Sequence, residues 1–229
     1  MHGLPVMTID GPSGSGKGTV SRAAARKLGW RLLDSGALYR LVALAGRGAG
    51  IDLNDEHRLS ELARQLDIRF DSAPTGAEVV WLGGQDVTHD IRTESAGSDA
   101  SIVAALPGVR SALLERQRRF AVPPGLVADG RDMGTVVFPD ARVKIFLTAS
   151  ADERAARRYK QLKEKGVAAT LAGLSKEIAE RDQRDTTRTA SPLVASEDAV
   201  LLDTTGMSVD AVVERVLDIV RERLSLRDL

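Results

Sequence analysis

A short apolar run, Val6–Ile9, closes on Asp10 and opens into Gly11-Pro12-Ser13-Gly14-Ser15-Gly16-Lys17-Gly18-Thr19, after which Gly18–Leu28 carries a helical pattern. A buried strand feeding a helix through a glycine-rich turn demands an α/β sheet around it, so this feature bounds the fold most tightly. Glycines allow the backbone to curl until successive N–H groups face inward as an anion nest. The helix start adds unpaired N–H groups and a positive dipole end. Lys17 then sets a point charge against the β- and γ-phosphates of a bound nucleoside triphosphate. The general pattern places Ser or Thr directly after the lysine, whereas here Gly18 stands there and Thr19 follows. Mg²⁺ is therefore expected to be held mostly by phosphates and water, with Thr19 or Asp129 acting through water.

Four further apolar runs read as strands buried on both faces: Arg31–Leu33, Leu126–Ala128, Val143–Leu147 and Ala199–Leu202. Helical patterns separate them, which predicts a three-layer α/β fold with a five-stranded parallel sheet. Asp10, Asp34, Asp129 and Asp203 follow four of the five runs at once. Ligands in such sheets bind beyond the carboxyl ends of the strands, although Asp is also a common turn residue. The stretch Ser35–Gly125 is too long for a simple crossover. Within it Asp67–Asp71, Val79–Leu82 and Gln85–Val87 predict a small antiparallel subdomain at about 67–90, with Gly83-Gly84 as a two-residue hairpin turn. Helices are expected at Asp55–Leu66, Glu94–Ala105 and Pro107–Phe120. Two more, Ala151–Lys165 and Leu171–Thr187, follow the fourth strand and would form a helical lid over 151–188. A last helix, Ser208–Leu224, presents Val209, Val212, Val213, Val216, Leu217 and Val220 on one face for packing.

The chain of 229 residues suits one domain with insertions. Its 32 basic and 32 acidic side chains cancel, so no global field gathers nucleic acid or anionic membrane. The absence of Cys removes disulfides, thiolate metal sites and thiol nucleophiles together. His2, His57 and His89 lack metal-ligand spacing and read as surface residues. No signal-peptide architecture and no apolar run of membrane-spanning length is present in the sequence, so a cytoplasmic protein is expected.

The Gly-Lys-Gly-Thr ending of the loop resembles nucleoside monophosphate kinases rather than GTPases. Guanine readers use an Asn-Lys-x-Asp segment, and the single Asn here, Asn54, is followed by Asp. The segments Leu32–Arg40, Asp129-Gly130-Arg131-Asp132-Met133-Gly134-Thr135-Val136-Val137-Phe138-Pro139 and Arg181-Asp182-Gln183-Arg184-Asp185-Thr186-Thr187-Arg188, with the inserted β region, resemble the bacterial cytidylate kinases. The Asp-Gly-aromatic-Pro-Arg segment of adenylate and uridylate kinases is missing. The likeness runs from the first strand to the last helix.

Such a resemblance implies an acceptor site for CMP or dCMP. It assigns the acceptor phosphate to Arg40 and Arg131, whose planar forks meet phosphate bidentately, with Tyr39 beside them. It assigns the base to Ser35, Arg110, Asp132 and Arg188, and the sugar to Ser101, Arg181 and Asp185. Arg181, Asp185 and Arg188 fall at i, i+4 and i+7, so one helix face presents all three if the helix reaches Arg188. Cytosine offers an exocyclic amine that a carboxylate or hydroxyl accepts, a role open to Asp132 and Ser35. On the donor side Arg154, Arg157 and Arg158 look like lid arginines that close over ATP phosphates; a charged helix face left in solvent is the plainer alternative. Lys17, Arg131, Asp129 and Arg157 are the residues expected to act on the transferring group.

The reaction implied is ATP with CMP or dCMP giving ADP with CDP or dCDP, assisted by Mg²⁺, in a monomer that binds free nucleotides and no nucleic acid. A kinase for UMP, AMP or a metabolite such as shikimate is the nearest rival. A nucleotide-binding regulator without transfer activity is the rival from another class.

Overall fold

In the computed structural model, which describes residues 4–72, 78–164 and 166–224, the chain runs β1 (Val6–Asp10), α1 (Lys17–Leu28), β2 (Arg31–Asp34), α2 (Ser35–Gly48), α3 (Glu56–Gln65), β3 (Ile68–Ser72), β4 (Glu78–Leu82) and β5 (Gln85–Asp86). It continues through α4 (Glu94–Val103), α5 (Pro107–Arg118), β6 (Leu126–Gly130), β7 (Val143–Thr148), α6 (Ala151–Glu164), α7 (Leu171–Thr187), β8 (Val200–Asp203) and α8 (Val209–Arg223). Lys165, the expected end of α6, and His2 lie outside the described residues. The fold divides into two compact units, Met1–Asp34 with Gln117–Leu229, and Ser35–Arg116.

The first unit is built on five described strands, all parallel, in the order β2-β6-β1-β7-β8. β1 and β6 lie inside the sheet and are almost wholly buried, which is why the stretches ahead of their carboxylates, Val6–Ile9 and Leu126–Ala128, are rich in small and apolar residues. The expectation that all five strands are buried on both faces fails at the two edge strands, β2 and β8, where Arg31 is exposed and Leu201 is 68% exposed. The strand-end carboxylates are part of the strands themselves, and β6 continues through Asp129 to Gly130. Register sets Asp10 beside Gly130 and Asp34 beside Asp129. Met7, Ile9, Ala24, Val127, Ile145 and Leu147 pack with Val213, Val216 and Val220 in one apolar core. α8 is capped as its sequence predicts, with the Ser208 hydroxyl accepting from the Ala211 N–H. Val209, expected on its buried face, is 49% exposed, and Ile219 is buried instead. As the first residue of the helix, Val209 directs its side chain back past the cap and off the packed face.

The second unit joins α2, α3, α4 and most of α5 to an antiparallel sheet of order β3-β4-β5. Gly83 and Gly84 have φ of +56° and +80°, the paired left-handed conformations of a two-residue hairpin, and Leu82 faces Gln85 across it. Val80, Val87 and Ile91 pack on Ala37 and Leu41 of α2.

Candidate active site

The glycine-rich loop takes its shape from three left-handed or mirror-image positions, Gly11, Gly14 and Gly16, with φ of +150°, +77° and +90°. Two loop carbonyls are held by arginines of α6, Arg154 Nη1 donating to Ser13 O at 3.0 Å and Arg157 Nη1 to Ser15 O at 3.2 Å, while Lys17 Nζ donates to Pro12 O at 3.1 Å. In a trans peptide the C=O and the following N–H point to opposite sides. Drawing the Ser13 and Ser15 carbonyls to those arginines therefore turns the N–H groups of Gly14 and Gly16 the other way. Among the described residues no carbonyl of the chain takes the N–H groups of Ser13–Gly16. Buried amides left unpaired are costly unless a ligand meets them, and an anion is what suits a cluster of donors at a helix start.

Lys17 and Asp129 form the charged heart of this unit. Burial lowers the Lys17 ammonium to about 7, Arg131 adds repulsion, and Asp129 opposes the fall. Burial pushes the Asp129 carboxyl up to about 7, and Lys17 draws it back down. The Oδ1 of Asp129 is buried with no hydrogen-bond partner among the described residues. A Cβ on Gly18 would stand 3.2 Å from Asp129 Oδ2. Glycine after the lysine thus makes room for this carboxylate, which occupies the neighbourhood where the general pattern carries a hydroxyl. Thr19 is exposed.

The turn after β6 contains a π-helical turn at Met133–Val137. Asp10, at the end of β1, fixes it: Oδ1 accepts from the Met133 N–H and Oδ2 from the Gly134 N–H, both at 2.8 Å. Gly134 is required there, because a Cβ would lie 2.9 Å from Thr8 Oγ1. Burial pushes the Asp10 carboxyl up to about 6, against the two backbone bonds. Arg131 and Asp132 sit at the start of this turn, with Asp132 buried.

Arg131 Nε donates to Asp185 Oδ2 on α7 at 2.8 Å. Burial raises the Asp185 carboxyl, but the charge and hydrogen bond of Arg131, with Arg181 and Arg188, outweigh it and hold the group below its ordinary value. Arg181 is half-buried on α7. The predicted three-residue helix face is only partly formed, because α7 stops at Thr187 and Arg188 takes an extended conformation. A helical C-terminus cannot continue past such a residue, and Arg188 instead donates from Nε to Ser191 O at 2.6 Å.

In the second unit Ser35, Tyr39, Ser101 and Arg110 are all buried. Arg110 lies over the Tyr39 ring, 5.4 Å from its centroid, and donates to Ala104 O at 3.0 Å. Arg40 donates to Ile91 O at 2.6 Å. These bonds hold the guanidinium groups in defined planes within the unit.

The three arginines of α6 do not share one environment. Arg154 is buried, with Nε on Ala149 O at 3.1 Å and its two Nη atoms on Asp182 at 3.0 and 2.7 Å. Arg157 donates to Thr204 Oγ1 at 3.0 Å and Thr204 O at 2.6 Å, while Arg158 meets Gln161 at 3.0 Å. Asp182 and Thr204 were not picked out from sequence. Neither carries a spacing signal, since each is defined by a partner about 30 to 50 residues away. Asp203, the last residue of β8, accepts from the Thr205 N–H and hydroxyl through its carboxylate, and His57 and His89 are exposed.

The family model described as cytidylate kinase matches residues 7–222. The chain is 59% identical over 221 residues to the cytidylate kinase of Stutzerimonas stutzeri strain A1501, covering 96% of each chain. It is 61% identical over 214 residues to that of Pseudomonas savastanoi pv. phaseolicola, covering 93% of each, and 57% identical over 225 residues to that of Azotobacter vinelandii, covering 98% of this chain and 96% of the relative.

Proposed function

The chain belongs to the cytidylate kinase family, and from that premise we propose that it transfers the γ-phosphoryl group of ATP to CMP, with dCMP as a second acceptor. The observation that carries this reading is the register of β1 on β6, where Asp10 faces Gly130. The donor loop begins one residue after Asp10 and Arg131 one residue after Gly130, so anion-binding groups for donor and acceptor start side by side at the carboxyl edge of the sheet.

An acceptor phosphate oxygen is already ionised, so transfer needs no general base. It bonds to the γ-phosphorus as the bond to the β–γ bridging oxygen breaks, and ADP leaves. Catalysis is then positioning and charge neutralisation, supplied by the loop amides, Lys17, Arg131 and Arg157. The buried, unpartnered Oδ1 of Asp129 fits a Mg²⁺ held through water, with Thr19 as the other candidate. When bound, that ion neutralises the β- and γ-oxygens. We assign the acceptor phosphate to Arg40 and Arg131, with Tyr39 beside them, the base to Ser35, Arg110, Asp132 and Arg188, and the sugar to Ser101, Arg181 and Asp185. Uracil would present a carbonyl where cytosine has an amine, leaving a buried acceptor unpaired. Arg154 and Arg158 complete the donor side in this reading. The balance of acidic and basic side chains leaves no net field to gather nucleic acid, and in this reading the protein acts on free nucleotides as a cytoplasmic monomer.

Acceptor-dependent ADP release, measured over CMP, dCMP, UMP, AMP and shikimate, tests the proposal. CMP and dCMP should give the highest kcat/KM. A faster rival acceptor would overturn the specificity, and ATP binding without any acceptor-dependent release would favour a regulator.

A further inference from the structure

Arg154 uses four of its five N–H groups within the protein. Nε goes to Ala149 O at 3.1 Å, Nη1 to Ser13 O at 3.0 Å and to Asp182 Oδ1 at 3.0 Å, and Nη2 to Asp182 Oδ2 at 2.7 Å. The pairing with Asp182 is the parallel two-bond geometry that fixes a guanidinium plane as well as its place. Lacking that grip, a long arginine side chain spreads over many rotamers. The stem of Arg154 is also packed on the loop, where a Cβ on Gly14 would come within 3.1 Å of Arg154 Cβ. One side chain therefore shapes the donor loop twice, by filling the space outside Gly14 and by turning the Ser13 carbonyl outward.

We propose that Asp182 is a positioning residue for the donor loop, holding Arg154 on the Ser13 carbonyl so that the Gly14 N–H faces the triphosphate. The assignment rests on the loop being the donor site, and it separates Asp182 from its neighbour on the same helix. Asp185, three residues on, grips Arg131 instead. α7 thus carries two carboxylates whose arginine partners serve different substrates. Asp182 reaches no reacting atom in this scheme, and its effect is carried entirely by Arg154.

The test measures binding of a non-hydrolysable ATP analogue with no acceptor present, together with the KM values for ATP and CMP. Asp182→Asn keeps an acceptor but loses the charge and the second bond. It should weaken analogue binding and raise the KM for ATP by about tenfold, the size of a lost charge-assisted hydrogen bond, while the KM for CMP changes less than twofold. Arg154→Lys, which keeps the charge without the fork, should match it, and the double variant should be no worse than Arg154→Lys alone. Unchanged analogue affinity, an equal rise in the KM for CMP, or additive losses would overturn the proposal. Should Asp182→Asn fail to fold, Asp182→Glu, which keeps the charge but displaces the two-bond fork, decides by the same readings. Wild-type protein that binds no ATP analogue would instead sink the donor-site reading itself.

Discussion

Asp185 on α7 and Arg131 after β6 share a hydrogen-bonded ion pair of 2.8 Å, with only 15% of the arginine side chain and 6% of the carboxylate side chain exposed. Removing one member of a buried pair leaves the other charge unpaired, which typically costs about 3–5 kcal/mol. Asp185→Ala should therefore lower stability in a urea titration by an amount of that order. In the proposed function it should also raise the KM for CMP at least about tenfold, with donor-analogue binding little changed. Wild-type stability in the variant would mean that solvent already screens the pair.

A protonation change should accompany donor binding. Lys17 in the free protein is lowered to about 7 by burial, with Arg131 adding to the fall, and a triphosphate beside it favours the ammonium form. Near pH 7.5, ATP binding should then take up protons. Titration calorimetry in buffers of differing ionisation enthalpy measures the number directly. Proton release would contradict this assignment.

What the sequence announced depended on how local the signal was. The loop, its helix and the Gly83-Gly84 hairpin each lie within a few consecutive residues, and each formed where expected. The carboxylate at Asp10 was legible as a strand-end residue, but its clamp on the Met133 and Gly134 amides was not, because those partners are more than 120 residues away. Arg154 illustrates the same limit. Its spacing with Arg157 and Arg158 suggested one charged helix face, yet Asp182 and the loop carbonyl draw it into the interior. Leu201 erred for another reason. Its apolar neighbours promised burial, and only the strand order, which leaves β8 at an edge, exposes it. Arg188 shows how an i+7 spacing loses meaning once a helix ends early.

Two glycines of the loop should respond differently to alanine. A Cβ on Gly11 would lie 2.0 Å from the carbonyl oxygen of Leu147, a strand backbone atom that cannot yield. Gly11→Ala should fail to give soluble folded protein. A Cβ on Gly18 would crowd the Asp129 carboxylate at 3.2 Å, with the Arg22 guanidinium next at 3.6 Å, both side-chain ends that can yield, so Gly18→Ala should fold and lose about tenfold in kcat/KM as that carboxylate shifts. Circular dichroism and ADP release separate the two outcomes, and equal behaviour would refute the distinction.

Asp10 provides a test of the clamp through pH. Its carboxyl is raised from 3.8 to about 6, chiefly by burial, with the Gly134 and Met133 bonds pulling the other way. A group whose folded value lies above its unfolded value contributes stability that is complete below the unfolded value and is lost as pH climbs through the folded one. Wild type should therefore lose stability relative to Asp10→Asn, which does not titrate, between about pH 4 and pH 6.5. Above pH 7 the difference should be flat, and there the carboxylate keeps one advantage. It accepts both amide N–H groups, whereas an asparagine carboxamide sets its own NH₂ against one of them. Urea unfolding of both proteins at four pH values across this window measures the slope. A constant difference throughout would place the Asp10 carboxyl at its ordinary value and remove burial as the dominant influence on it.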